Sequence, residues 1–188
     1  MKKHLNSVLA MMMAGGVMLT AGSVQAVDVN LTVKGVITIP PCNVNNSGTI
    51  EVDFGNIPVT ALTNGNNAGY LKQQSVPVTC DYYQGTPYVR VTGTQLSGAG
   101  TNVLATSTSR FGIALYQGSG TSVAMTLGNG TTGVNGENLG YRVQSGALSG
   151  VNQASGQFTF TAVPYQSGST QLTAGEFTAT ANMSISYQ

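Results

Sequence analysis

The chain has 188 residues and a formal net charge of +1, and only 7% of its residues are charged. A nearly neutral chain gives no electrostatic basis for binding nucleic acid or an anionic membrane surface. The length is that of a single domain.

The first 26 residues have the pattern of a secretory signal peptide. Lys2 and Lys3 form a basic start, the apolar run "VLAMMMAGGVMLT" follows, and Val24–Ala26 supplies the small residues of a cleavage site. A membrane-spanning helix needs about 20 apolar residues, so we expect cleavage after Ala26 rather than anchoring. His4, the only histidine, would be lost with this segment.

Residues 27–42, "VDVNLTVKGVITIPPC", alternate between apolar and polar side chains, a period of two that is typical of a strand with one buried face. The apolar face carries Val29, Leu31, Val33, Gly35, Ile37 and Ile39. The polar face carries Asp28, Asn30, Thr32, Lys34 and Thr38, and only Val36 breaks the alternation. Periodicity alone leaves two interpretations: the first strand of a self-contained sandwich, or a segment that pairs elsewhere.

Cys42 and Cys80 are the only cysteines, and a disulfide is the default interpretation for an exported chain. The rival interpretation is a metal site. Two cysteines without histidine cannot complete a tetrahedral zinc site unless carboxylates join them, so we expect neither metal nor cofactor.

Strand patterns recur to the end of the chain, separated by turns rich in Gly, Asn and Ser. The predicted strands are 49–55, 73–80, 87–93, 110–117, 122–127, 156–164 and 175–188. Many short β-branched and aromatic runs of this kind indicate an all-β sandwich or barrel.

No motif supports catalysis. "GNGTTG" (128–133) matches a dinucleotide-binding pattern, but loop residues follow it where a helix would be required. Glu51 and Asp53 share one face of a predicted strand, which is typical of a solvated face rather than a glycosidase pair. A possible sugar-stacking patch comprises Asp81, Tyr82, Tyr83 and Tyr88. We expect no enzyme activity and no small-molecule substrate.

The last predicted strand, "GEFTATANMSISYQ" (175–188), again alternates and runs to the final residue. Its apolar members are Phe177, Ala179, Ala181, Met183, Ile185 and Tyr187. An open, apolar edge strand is prone to pair with another chain.

Together these features resemble the chaperone–usher pilus subunits of Gram-negative bacteria. The shared marks are the signal peptide, the extension with Gly35, the cysteine pair, Gly175 at the fourteenth position from the end, and the penultimate Tyr187. Phrases such as "ITIPPCNVNN", "NVLATSTSRFGIALYQG" and "FTFTAVPYQSG" are similar to the minor tip adaptors of that family.

The resemblance implies an incomplete immunoglobulin-like sandwich (42–188) that lacks its C-terminal strand, with a free donor-strand extension (27–41). The groove left by the missing strand would be filled first by a periplasmic chaperone and then by the next subunit's extension. The implied donor residues are Val29, Leu31, Val33, Gly35, Ile37 and Ile39. The implied chaperone-binding residues are Gly175, Phe177, Ala179, Ala181, Met183, Ile185, Tyr187 and Gln188. Basic residues of the chaperone would hold the carboxylate of Gln188.

The implied partners are the chaperone, the outer-membrane usher and neighbouring pilus subunits, including the tip adhesin. The protein would pass through the periplasm and reach the surface fimbrium. Two alternatives to a tip adaptor are a repeating fimbrial shaft subunit and, in a different class, a secreted carbohydrate-binding β-sandwich.

Overall fold

The computed structural model describes residues 28–146, 148 and 152–188. The predicted signal peptide lies outside these residues. Across the described ranges, no helix is long and apolar enough to cross a membrane. The chain divides into two units, Met1–Gly35 and Val36–Gln188. In the first unit, residues 28–35 are exposed and have no regular secondary structure.

The second unit consists of strands and short 3₁₀ helices. The strands are β1 (Asn43–Val44), β2 (Gly65–Asn66), β3 (Lys72–Thr79), β4 (Pro87–Thr92), β5 (Val103–Ala105), β6 (Phe111–Gln117), β7 (Val123–Ala124), β8 (Thr131–Thr132), β9 (Asn138–Arg142), β10 (Ser155–Gln166) and β11 (Asn182–Tyr187). The 3₁₀ helices are Asn45–Ser47, Val59–Ala61 and Ala68–Tyr70.

Two antiparallel sheets form the predicted all-β fold. One sheet has the order β1-β3-β10-β6-β5, with β7 paired to β6, and the other has the order β11-β4-β9-β8. The long strand β10 organises the first sheet, because Phe158 lies opposite Val76 of β3 and Val163 lies opposite Ala114 of β6. Phe158 and Val163 are both fully buried, on opposite faces of this sheet.

Apolar side chains from both sheets form the main core. Val76 and Phe158 of the first sheet belong to it together with Val89 and Ile185 of the second. The alternation that predicted strands 73–80, 87–93, 110–117 and 156–164 is therefore confirmed, because each of these segments buries one or both of its faces.

Three predicted strands are wrong in extent. Residues 49–55 form no strand, 122–127 form a strand only at Val123–Ala124 with an isolated bridge from Leu127 to Val91, and the last strand begins at Asn182 rather than near Gly175. The side chains of 49–55 nevertheless alternate between exposed and half-buried. A strand assignment requires a hydrogen-bonded neighbour as well as an alternating face, and the unpaired segments lack that neighbour.

The predicted disulfide between Cys42 and Cys80 is present. It spans 38 residues and closes the end of the sandwich where β1 pairs with β3, since Asn43 lies opposite Thr79. Cys42 also donates its backbone N–H to the carbonyl oxygen of Ile185 at 2.8 Å. The disulfide and this backbone hydrogen bond therefore attach the start of the domain to both sheets.

We expect Cys42→Ser to lower the free energy of unfolding by about 2–5 kcal/mol, because removing a native disulfide raises the conformational entropy of the unfolded chain. The measurement is urea denaturation of the purified protein, with the yield of folded protein as a second readout. Cys80→Ser should reproduce the loss, because it removes the same disulfide. Free thiols in the folded wild-type protein would contradict this prediction.

Candidate functional site

One wall of a long groove is formed by residues 50–57. Ile50, Val52 and Phe54 are half-buried and pack against the core. Among the described residues, the backbone of 50–57 makes a single hydrogen bond, from the N–H of Gly55 to a carboxylate oxygen of Asp53 at 2.7 Å. This wall presents extended backbone groups that pair with no other strand.

The opposite wall is formed by residues 175–183. Phe177, Ala179 and Met183 are half-buried and pack against the same core. Within the described part of the chain, the backbone of 175–181 pairs only where Thr178 meets Ser107: the Ser107 N–H donates to the Thr178 carbonyl at 2.8 Å, and the Thr178 N–H donates to the Ser107 Oγ at 3.0 Å. This wall, too, leaves most of its backbone unpaired.

Between the two walls run two connected clefts, of about 400 and about 720 Å³. The smaller cleft reaches the core, and its floor consists of Val91, Leu104, Ile113, Leu115, Met125, Phe160 and Ala162. The larger cleft extends it past Phe54 and Phe177 towards Leu172. The rings of Phe54 and Phe177 lie 6.2 Å apart between centroids, so the walls approach each other where the clefts meet.

Beyond Met183, the C-terminal strand belongs to the core of the subunit. Ile185 and Tyr187 are fully buried, and the Tyr187 hydroxyl donates to the Gln153 carbonyl at 2.8 Å. Burial raises the pKa of the Tyr187 hydroxyl above its ordinary value, because the ionised form would lose its hydration. The two residues therefore stabilise the subunit itself and do not line the groove.

The last residue is held within the subunit. Gln188 donates its backbone N–H to Thr86 at 2.9 Å, and its carbonyl accepts the Thr86 N–H at 2.6 Å. Its side-chain amide donates to a carboxylate oxygen of Glu137 at 2.7 Å. These bonds extend the pairing of β11 with β4 to the end of the chain.

The predicted donor residues lie in a segment without strand structure. Val29, Leu31 and Val33 are 83–88% exposed, and Ile37 is 94% exposed. Ile39 is half-buried, and a Cβ built on Gly35 would meet nothing within 4 Å. Of the predicted chaperone-binding residues, Gly175, Phe177, Ala179, Ala181 and Met183 line the clefts.

The sequence reasoning missed half of the groove. The wall at Ile50, Val52 and Phe54 was predicted as an ordinary strand, and the floor residues were predicted only as parts of strands. The signal in the sequence was the alternation in "TIEVDFG" (49–55), whose apolar face is the one that lines the groove.

The other candidate motifs behave as surface features. The "GNGTTG" run carries the short strand β8, which pairs with β9 as a hairpin. Tyr82 and Tyr83 are exposed side chains between β3 and β4. Within the described ranges, no group of three or more His, Cys, Asp or Glu side chains could hold a metal ion.

An apolar groove flanked by two unpaired stretches of extended chain can accept one more strand, because main-chain hydrogen bonds and side-chain burial would both be satisfied by it. The fold and the groove therefore define a class of protein: a two-sheet β-sandwich that is one strand short.

Comparison with known proteins shows the family to which this two-sheet β-sandwich belongs. The fimbrial protein family matches residues 29–188, and the chain belongs to that family. The minor fimbrial protein PrsF of Escherichia coli is 41% identical over 170 residues, which are 90% of this chain and 93% of PrsF. The fimbrial adapter PapF of Escherichia coli is 40% identical with the same coverage.

A solved structure of the P pilus adaptor subunit PapF superposes with a TM-score of 0.53 at 36% identity, covering 80% of this chain and 98% of that one. The resemblance to pilus subunits, the immunoglobulin-like sandwich and the assignment as a minor, adaptor-type pilin are thereby confirmed. Members of this family are structural subunits of surface fimbriae, in which they contact other pilus subunits.

Proposed function

We propose that this chain joins two neighbouring subunits at the pilus tip by donor-strand exchange. Its extension, residues 29–39, enters the groove of the subunit ahead, and its own groove receives the extension of the subunit behind. The observation that carries the proposal is the unpaired backbone of residues 50–57, whose half-buried apolar side chains pack against the core.

The dimensions of donor and groove agree. The extension 29–39 has eleven residues and spans about 36 Å as a strand, and the wall 175–183 has nine residues and spans about 30 Å. Alternate side chains of an inserted strand point at the floor, which suits the apolar face of the extension. Each Val, Leu or Ile buried in this way contributes about 1.5–3 kcal/mol before the cost of ordering the segment.

Before assembly, the half-buried apolar side chains of the two walls need a cover. We propose that a periplasmic chaperone supplies it by placing a strand along residues 175–183, and that the outer-membrane usher then exchanges this strand for the next extension. The half-buried apolar side chains of the two walls and the largely unpaired backbone at Phe177–Met183 support this step, since both are typical of surfaces that aggregate when uncovered. The protein would therefore cross the periplasm in a chaperone-bound state.

The proposed position is the joint below the tip adhesin. The names of the two relatives at 40–41% identity, a minor fimbrial protein and a fimbrial adapter, favour this position over that of a repeating shaft subunit. No enzymatic step belongs to the proposal, because strand exchange needs only binding.

Expression with and without the cognate chaperone tests the function. We expect a soluble one-to-one complex with chaperone and aggregated or degraded subunit without it. A secreted carbohydrate-binding sandwich would instead be a stable, soluble monomer in both conditions. Recovery of equal amounts of soluble monomer with and without chaperone would contradict the proposal.

Gly35 provides a second test. Glycine inside a strand often marks the close approach of another backbone. Gly35→Leu should leave the chaperone complex at its normal yield, because a side chain at residue 35 meets open space in this subunit. It should weaken docking onto the subunit ahead by about 1–3 kcal/mol or more through overpacking.

The control is Lys34→Leu, which introduces the same side chain at the neighbouring residue on the polar face. The readout is the amount of joined subunit pair separated by size-exclusion chromatography. Normal docking by Gly35→Leu, or a loss of chaperone complex instead of docking, would remove residue 35 from the donor site.

A further inference from the structure

We propose that the groove of this subunit selects a donor strand with basic side chains on its water-facing positions, and therefore an extension from a different pilus subunit rather than from a second copy of this chain. The inference rests on the proposed strand exchange and adds a rule for choosing the partner. The observation behind it is a set of three carboxylates beside a groove whose floor is apolar.

The charges of the molecule are unevenly distributed. The sequence contains six acidic side chains, and three of them, Glu51, Asp53 and Glu176, line the groove. Seven residues are Lys or Arg, two of which (Lys2 and Lys3) precede residue 28, and none of the other five lines either cleft. The lining residues therefore carry three negative charges and no positive charge.

The three carboxylates lie on the rim rather than on the floor. Ile50, Val52 and Phe54 point into the core, so the alternating Glu51 and Asp53 point outwards, and both are exposed. Glu176 is exposed on the opposite wall, next to the half-buried Phe177. One carboxylate oxygen of Asp53 accepts the N–H of Gly55.

An inserted strand would place its outward side chains directly beside this rim. Side chains on the same face of neighbouring strands lie about 4.5–5.5 Å apart, close enough for opposite charges to attract and like charges to repel. Each exposed pair changes an equilibrium or a rate about 2- to 5-fold. Arg110 lies outside the lining and donates to the Thr170 carbonyl at 3.3 Å.

The extension of this chain does not match such a rim. Within the donor segment 29–39 its polar face carries one charged side chain, Lys34, and the acidic Asp28 directly precedes the segment, so the net charge of residues 28–39 is zero. A donor with two or three basic residues at these positions gains attraction on both walls, whereas a second copy of this chain gains none. The charge of the rim therefore favours a basic donor strand over the extension of a second copy of this chain. The apolar fit is the same for both.

Exchange of peptides into the chaperone-bound subunit tests the inference. The probes are a peptide of residues 28–39, its variant with Thr32→Lys and Thr38→Lys, and its variant with Thr32→Glu and Thr38→Glu. Release of chaperone is followed by native mass spectrometry at about 0.02 M and about 0.5 M salt, where screening differs several-fold. We expect the basic peptide to exchange at least about 10-fold faster than the acidic one at low salt, with the ratio below about 3-fold at high salt.

Neutralising the rim with Glu51→Gln, Asp53→Asn and Glu176→Gln should remove this ratio, while Asp81→Asn, which changes an exposed carboxylate outside the groove, should preserve it. Equal exchange of all three peptides into the wild-type groove would overturn the charge rule and leave strand exchange intact. Failure of every peptide to displace chaperone would overturn strand exchange itself.

Discussion

Val33→Asp should reduce joining to the subunit ahead by at least about 100-fold, which corresponds to about 3 kcal/mol. In the proposed joint, Val33 enters the apolar groove of the neighbour, where a carboxylate would be buried without a partner. The same side chain is 83% exposed before joining, so the substitution leaves the folding of this subunit unchanged.

Thr32→Asp is the matched control, since it places the same charge one residue earlier on the polar face. We expect it to join within a few-fold of the wild type. Both variants are purified as chaperone complexes and mixed with the chaperone-bound neighbour, and the joined pair is quantified. If Val33→Asp joined as well as Thr32→Asp, the extension would not be the donor strand.

Met183→Asp should reduce the yield of chaperone complex by at least about 10-fold. Met183 lines the smaller cleft and is half-buried, so an added strand would bury the new carboxylate in an apolar site. Ser184→Asp is the control on the opposite face of β11, where Arg90 Nε already donates to the Ser184 hydroxyl at 3.4 Å. It should co-purify with chaperone at the normal level.

Ile185→Asp serves a different purpose in this series. Ile185 is fully buried in the subunit, so its replacement should prevent folding with or without chaperone. Formation of the Cys42–Cys80 disulfide distinguishes a loss of chaperone binding from a loss of folding. The Met183→Asp variant should still form this disulfide, whereas the Ile185→Asp variant should not. Normal chaperone binding by Met183→Asp would place the docking strand elsewhere.

The candidate site could be predicted from the sequence only in part. The alternation ahead of Cys42 left open whether residues 29–39 are an ordinary first strand or a donor segment, and the donor role was implied only by the family resemblance. The wall at Phe177–Met183 has the same alternation at the other end of the chain. The second wall, Ile50–Phe54, has an equally clear alternation, and nothing local distinguishes it from a paired strand. Ile185 and Tyr187 have the same pattern as Met183, yet they lie in the core.

The sequence by itself determined the all-β class, the cysteine pair, and which face of each segment is apolar. Only the tertiary structure decided which extended segments acquire a hydrogen-bonded neighbour and which remain unpaired. The reason is that a period of two reports the environment of side chains, whereas pairing depends on backbone from distant parts of the chain. Residues 50–57 and 175–181 illustrate this: both alternate like strands, and their unpaired backbones form the groove.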